Sequence, residues 1–475
     1  MKRNTFKASV CLLLSLILAI CPIIGCGKNQ GTRFSVTVEG AVFGGTSDSV
    51  IQTELFFDPS WITKNPVDRY NADLAAFSAL VCADSYFREK DIAKGTQNRV
   101  IPEGVSGDDY GFTTLLDKVG FKDIRHVESF KVKEYETDTN DSVTLTLAYC
   151  SVGKKYDAYI VAVRGCFSSQ EWVSTFDPGC DGAAYTALTG GHTEWTDKQI
   201  CKGYAIASAR ALEIIAEYMK EHDDPKRKDC VLVTGHSRGG AIAGIIGADL
   251  EKSAKTYTYT FNAPAVIDED SITDVKGVFN LFDENDFYRD PLPFGDEPFA
   301  RFGKDLSVSI PQTPDVLTEL KYLKGRSDYS GVDEDTRNAY KELFASRFSD
   351  RASLYVTRDY TETFGSREEA ETRSAAIAAL VDPSGLDLGM FITVGDIREN
   401  PNGTFTLNLT SCDAALLFGY AKLLAYGQPA LDAFTSLFAA DQQACDIARL
   451  LMEHQNELTG GHLLVNSYVL TQYVK

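Results

Sequence analysis

Val231 to Gly240 reads "VLVTGHSRGG": an apolar, β-branched run that ends in Gly-His-Ser-Arg-Gly-Gly. The pattern Gly235-x-Ser237-x-Gly239 predicts a sharp turn from strand to helix, with the serine hydroxyl lifted above the turn as a nucleophile. The reason is steric. The serine sits in strained backbone geometry, and side chains two residues to either side would collide, so glycine fits at both places. The start of the following helix stabilises developing negative charge beside the serine. Gly240, Ala241, Ala243 and Gly244 are small enough for that helix to lie close to a sheet.

A serine hydroxyl needs a base, and the base needs an orienting carboxylate. The chain has six histidines, at 126, 192, 222, 236, 454 and 462. On such an elbow the chain order is serine, acid, histidine, which excludes the first three. His236 adjoins the serine with its side chain directed away across the turn. His454 falls in a helical run, "ARLLMEHQNE", where a solvated surface histidine is the ordinary reading. His462 follows Gly460-Gly461 in "TGGHLLVNSY", a loop at the start of an apolar segment, and is preferred as the base. For the acid, "FNLFDENDFYRDPLPFG" (Phe279 to Gly295) ends a strand and begins a polar turn. Asp283, Glu284, Asp286 and Asp290 all qualify by position, and spacing alone does not separate Asp286 from Asp283.

The elements that would hold these residues alternate. "YNADLAAFSALVCADSYF" (Tyr70 to Phe87) has helical apolar spacing. "SVTLTLAYCSV" and "YDAYIVAVRG" flank Gly153-Lys154-Lys155 as a hairpin. Tyr204 to His222 is an amphipathic helix. Strand "CVLVTG", helix "GGAIAGIIGADLEKSA", and strands "TYTYTFNAP" and "GVFNLFDEND" follow. Strand and helix in alternation predict an α/β fold with a mostly parallel central sheet flanked by helices. From about 303 to 440 the texture changes to charged and then apolar helical runs. This span is expected to be a largely helical insertion, with "GTFTLNLTS" as a short strand.

The chain of 475 residues carries a formal charge of −20 with 44% apolar residues. That is enough apolar residue for a sizeable core, and the acidic balance argues against nucleic acid as a partner. Lys2, Arg3 and Lys7 precede the apolar run Ala8 to Ile20, the pattern of an export signal. "IIGC" (Ile23 to Cys26) resembles the lipobox of bacterial lipoproteins. That resemblance implies removal of residues 1–25, lipidation of Cys26, a tether over 26–50, and anchorage to the outer face of the bacterial cell membrane. Of eleven cysteines, eight follow Cys26, without CxxC spacing. In an exported chain they can pair as disulfides, and several in strand-like runs read as buried thiols.

About 70–295 and the last twenty or so residues resemble the class 3, fungal-type lipases of the α/β-hydrolase superfamily, which implies one such domain over 51–475. "YIVAVRGCFSSQEW" is similar to the family's strand ending in Arg-Gly-Thr and followed by tryptophan. "ICKGYAIASARALEIIAEYM" is similar to its His-x-Gly-Phe helix, and "VLVTGHSRGGAIAGIIGADL" to its Gly-His-Ser-Leu-Gly-Gly elbow. "NLFDENDFYRDPLP" is similar to its acid loop, and "GGHLLVNSY" to its terminal histidine segment. The resemblance implies a triad of Ser237, Asp286 and His462, with the backbone N–H groups of Cys166 and Arg238 as the oxyanion hole. It implies no cofactor and no metal. Arg238 replaces the family's leucine, Cys166 its threonine or serine, and Cys201 its histidine. The implied activity is hydrolysis of lipid esters. A short-chain or feruloyl-type esterase and a non-catalytic surface-binding lipoprotein are the alternatives.

Overall fold

The computed structural model describes residues 31–40, 49–86, 99–104, 113–131, 142–166, 200–268, 275–283, 299–308, 356–382, 388–389 and 391–453, together with Glu171, Thr175, Asp286, Glu342, Arg347, Phe348 and Thr471. The signal region, Cys26, Cys180, His192, His454 and His462 lie outside them.

The chain opens with strands β1 (Thr32–Gly40) and β2 (Ser49–Phe57), followed by helices α1 (Ser60–Lys64) and α2 (Ala72–Asp84), strand β3 (Arg99–Pro102) and helix α3 (Thr114–Lys118). β1 pairs antiparallel with both β2 and β3. A strand here differs from the expected tether over 26–50. Phe34, Val36 and Val38 are buried and alternate with the less buried Arg33, Ser35 and Thr37, which is the period of a half-buried strand. Three apolar residues at that spacing are too few to stand out against a glycine- and serine-rich flank.

α2 begins at Asn71, whose side chain accepts the Leu74 N–H at 2.8 Å as a helix cap. Every residue from Leu74 to Asp84 is buried, because the helix lies between two sheets. It packs against β1 to β3 on one side and the central sheet on the other. Phe77 stacks on Phe57 with ring centroids 3.9 Å apart.

The central sheet is built from β4 (Lys122–Lys131), β5 (Ser142–Val152) and β6 (Tyr156–Val163); then α4 (Lys202–Glu221), β7 (Lys228–His236), α5 (Arg238–Leu250) and β8 (Lys255–Phe261); and finally, past the short β9 (Ile267–Asp268), β10 (Val278–Asp283) and, past β11 (Phe299–Ala300), β12 (Lys304–Val308). Its seven strands run in the order β12-β10-β8-β7-β6-β5-β4. β6, β7, β8, β10 and β12 are mutually parallel, and the hairpin β5–β6 and the pair β4–β5 are antiparallel. Alternate residues serve opposite faces. Ala158, Ile160 and Leu232 join the core under α2, while Tyr159, Val161, Val231 and Val233 join the core under α4 and α5. This is the mostly parallel α/β sheet flanked by helices expected from the alternation of strands and helices.

Beyond β12 the chain builds a second unit: β13 (Arg358–Phe364), α6 (Arg367–Val381), β14 (Thr393–Glu399), β15 (Phe405–Ser411), α7 (Asp413–Tyr426), α8 (Gln428–Leu437) and α9 (Gln442–Glu453). A three-stranded antiparallel sheet, ordered β13-β15-β14, stands beside the helices, so the expected helical insertion is mixed α/β in its described part. β12 belongs to the central sheet rather than to this unit, and the helices continue past 440. The two outer strands are polar and largely exposed, so they lack the apolar alternation that marks a strand in sequence. α6 carries a capping box, Ser366 to Glu369. Most of 333–348, also read as a helix, lies outside the described residues.

Candidate active site

Parallel strands bring their carboxyl ends to one edge of the sheet. Val163 pairs with Gly235, His236 with Phe261, and Leu281 with Phe261. Arg164 to Cys166, Ser237, Asn262 and the turn after Asp283 therefore gather at that edge, where open α/β sheets carry their sites.

Ser237 joins β7 to α5 with φ 54° and ψ −131°. A non-glycine residue in this region of backbone space is strained and is held there by its surroundings. The Ser237 N–H donates to the Phe261 carbonyl at 2.9 Å, and its own carbonyl accepts from Gly240 and Ala241 at 2.8 and 3.1 Å. The flanking glycines are sterically required. A Cβ on Gly235 would meet the backbone of Gly239, and one on Gly239 would meet the carbonyls of Val163 and Arg164. Gly240 closes on Ala263, and Gly247 closes on the Thr258 side chain. At Gly244 a Cβ would meet open space, so the close approach of helix to sheet falls at 240 and 247 instead.

The end of β6 lies against the elbow: a Cβ on Gly165 would come within 3.2 Å of the Ser237 Cβ. Cys166 follows at once and is 2% exposed. Its Sγ lies 3.5 Å from Thr175 Oγ1 and 3.8 Å from the Glu171 carbonyl, and it shares an apolar cluster with residues of the C-terminal unit. Arg164 Nη2 pairs with Glu171 Oε1 at 2.8 Å, both side chains buried. This ion pair fixes the segment that carries Cys166. Arg238, the first residue of α5, is 1% exposed, so its guanidinium is packed inside rather than presented to solvent.

Asp286 follows β10 and is buried; its N–H donates to the Asp283 carbonyl at 3.1 Å. Asp283, the rival acid by position, is fully buried at the strand end, and its N–H donates to Asn262 Oδ1 at 3.1 Å. His462, the expected base, and Cys26, the expected lipidation site, lie outside the described residues. Tyr86, Glu171 and Asn262 were not singled out in sequence. Tyr86 and Glu171 stand at the margins of the helix and strand segments, with no spacing to mark them.

The seven described cysteines that follow Cys26 are all buried free thiols. Burial pushes the Cys82 thiol up to about 12 and the Cys230 thiol to about 11. Among the described residues no three His, Cys, Asp or Glu side chains converge on a point where a metal could sit.

Residues 160–288 match the family model for lipase (class 3). No curated protein matches the chain. Among solved structures, the chain is 19% identical to the Rhizomucor miehei triacylglyceride lipase, over 50% of this chain and 79% of that one, with a TM-score of 0.34. It is 16% identical to the triacylglycerol lipase from Penicillium expansum, over 51% and 82%, with a TM-score of 0.34. For the mono- and diacylglycerol lipase from Aspergillus oryzae the values are 19%, 46% and 72%, and 0.32. The matched residues 160–288 run from the middle of β6 through Ser237 to the turn after β10, so the similarity to the class 3 lipase model falls on the segment that carries these strand ends.

Proposed function

We propose that this protein is a serine carboxylic ester hydrolase acting on acylglycerols or related lipids. The observation that carries the reading is the strained backbone of Ser237 between β7 and α5, in a segment that matches the lipase family. Holding a serine at φ 54° costs on the order of 1–3 kcal/mol, and such strain gathers where a side chain must be presented for reaction.

In this reading Ser237 Oγ attacks the ester carbonyl while His462 takes its proton. Asp286 holds the His462 ring in the required tautomer and stabilises its charged form. The backbone N–H groups of Cys166 and Arg238 receive the oxyanion. Arg238 N–H opens α5, so the helix dipole adds to the donor. His462 then protonates the leaving alcohol, and water, deprotonated by His462, releases the carboxylic acid and restores Ser237. Because the donors are backbone groups, the replacement of the family's threonine or serine by Cys166, and of its leucine by Arg238, leaves the donor set intact.

We further propose that the chain is a lipoprotein, exported on its N-terminal signal and anchored through Cys26 at the outer face of a bacterial membrane. The basic start, the apolar run and "IIGC" support it. Such an anchor would hold the site against lipid substrates.

The test is hydrolysis of p-nitrophenyl acyl esters of several chain lengths by a soluble form lacking residues 1–26, beside Ser237→Ala. Activity that vanishes in the variant is the expected result, and a preference for long acyl chains separates a lipase from a short-chain esterase. A folded protein with no serine-dependent turnover on any ester overturns the hydrolase and leaves the surface-binding lipoprotein.

A further inference from the structure

We propose that Tyr86 is a positioning residue for the ester hydrolysis: its hydroxyl ties the oxyanion end of β6 to the nucleophile elbow. The proposal rests on the serine-hydrolase reading above.

The tie has two arms. Tyr86 Oη lies 3.0 Å from His236 Nδ1, the residue immediately before Ser237, and the two rings meet edge to face with centroids 6.0 Å apart. The second arm is a close packing contact: the same oxygen lies against Gly165, the residue immediately before Cys166. The phenol oxygen therefore stands between the two strand ends, hydrogen-bonded to the His236 ring on β7 and packed on Gly165 just past β6. Gly165 is shaped to this contact. The Tyr86 hydroxyl occupies the place where a Cβ on Gly165 would go, and the His236 carbonyl and the Ser237 Cβ are next nearest.

The surroundings make the bridge count. Tyr86 is 8% exposed and His236 3%, so water does not readily replace the bond between them. Tyr86 also stands just past α2, whose end is held by Ser85 Oγ donating to the Cys82 carbonyl at 2.7 Å. On its inner side that helix is locked to β7, where Cys82 Sγ lies 2.9 Å from Thr234 Oγ1. The phenol thus transmits the position of a rigid helix, packed between two sheets, to both halves of the site. The distance between the Cys166 N–H and Ser237 Oγ decides whether the oxyanion meets its donor, and a displacement of about 1 Å there costs up to 10²-fold in rate. Tyr86 touches no reacting atom.

The experiment compares Tyr86→Phe, His236→Asn and the double variant with the wild type, with Ser237→Ala as the baseline. Turnover of a p-nitrophenyl ester and inhibition by an alkyl boronic acid, which forms an oxyanion-like adduct on the serine, are the two readouts. Tyr86→Phe is expected to lower kcat about 10-fold with little change in KM, and to weaken the boronate by a similar factor. The double variant should be no slower than the slower single one, because both changes cut the same bridge. A Tyr86→Phe enzyme that melts earlier but keeps its kcat and boronate affinity overturns the proposal, as does simple additivity of the two losses.

Should Tyr86→Phe fail to fold, His236→Asn alone cuts the same bridge, and an unchanged kcat there overturns the proposal too. The ring-nitrogen NMR shifts of His236 in wild type and Tyr86→Phe report the bond without any substrate. They separate a failure of the tie from a failure of the hydrolase reading: loss of serine-dependent turnover with an intact His236–Tyr86 signature indicts the reading, and an absent signature indicts the tie.

Discussion

Asn262 Oδ1 accepts the backbone N–H of Asp283 at 3.1 Å, from a residue whose φ is 47°. Asn262 sits at the end of β8, next to β10, and its own N–H donates to the Leu281 carbonyl at 2.8 Å. One residue therefore clamps the strand end from which the turn that carries Asp286 departs. Asparagine suits the place because its short amide tolerates left-handed backbone and bonds locally.

Asn262→Ala leaves the buried Asp283 N–H without this acceptor and keeps the unfavourable backbone. It is expected to lower stability by about 2–3 kcal/mol, from the unpaired donor and the left-handed strain together. Asn262→Gly loses the same bond but relaxes the backbone, and should cost about 1 kcal/mol less. Urea midpoints of the two variants check the order. Equal losses would show that the strained backbone is not what asparagine accommodates.

The Arg164–Glu171 pair is buried on both sides at 2.8 Å. Removing one member strands a charge in the interior, so Glu171→Gln is expected to destabilise by about 3 kcal/mol and Arg164→Met by a similar amount. The double variant should recover much of the loss, because an apolar or neutral pair removes the stranded charge. Chemical denaturation of the three proteins measures it. Additive losses in the double variant would mean that the two side chains do not depend on each other.

Two glycines four residues apart on α5, Gly240 and Gly244, should behave oppositely. At Gly240 a new methyl runs into Ala263, so Gly240→Ala should reduce stability by about 1–3 kcal/mol, as overpacking does. At Gly244 a methyl meets nothing, and a mid-helix Gly→Ala change stabilises by about 0.5–1 kcal/mol. Melting temperatures that move in the same direction for both variants would contradict the packing described above.

Asp84 lies in the last turn of α2 at 3% exposure, and its Oδ1 has no hydrogen-bond partner among the described residues. Burial holds its carboxyl well above the usual 3.8. The folded protein then binds this proton more tightly than the unfolded chain. Its share of stability is intact below about pH 3.8 and is lost as pH rises from there toward the elevated folded value. Asp84→Asn should therefore stabilise the protein at pH 7 and leave it nearly unchanged at pH 3.5. Denaturant midpoints across that range test the sign. A variant weaker than wild type at pH 7 would mean that the carboxylate is stabilised by a partner.

Much of this was legible in the chain itself. Gly235-x-Ser237-x-Gly239 after an apolar β-branched run announced a strained elbow, because collision between side chains leaves only glycine at those two positions. The hairpin around Gly153 followed from two apolar, β-branched runs about a short turn, and the helix from about 202 to 221 from its amphipathic spacing, both of them local signals. Where burial did not print a local pattern, the sequence was silent. β13 and β14 are polar outer strands inside a span expected to be largely helical, and the three alternating apolar residues of β1 were lost in a flexible-looking flank. Tyr86, Glu171 and Asn262 were also beyond reach. Two of them act through a partner distant in sequence: Tyr86 on His236, 150 residues on, and Asn262 on Asp283, 21 residues on; Glu171 meets Arg164 only through the fold. Local chemistry marked Ser237 and its elbow; only the packing of α2 and of the parallel strand ends decided which neutral and charged groups would hold it in place.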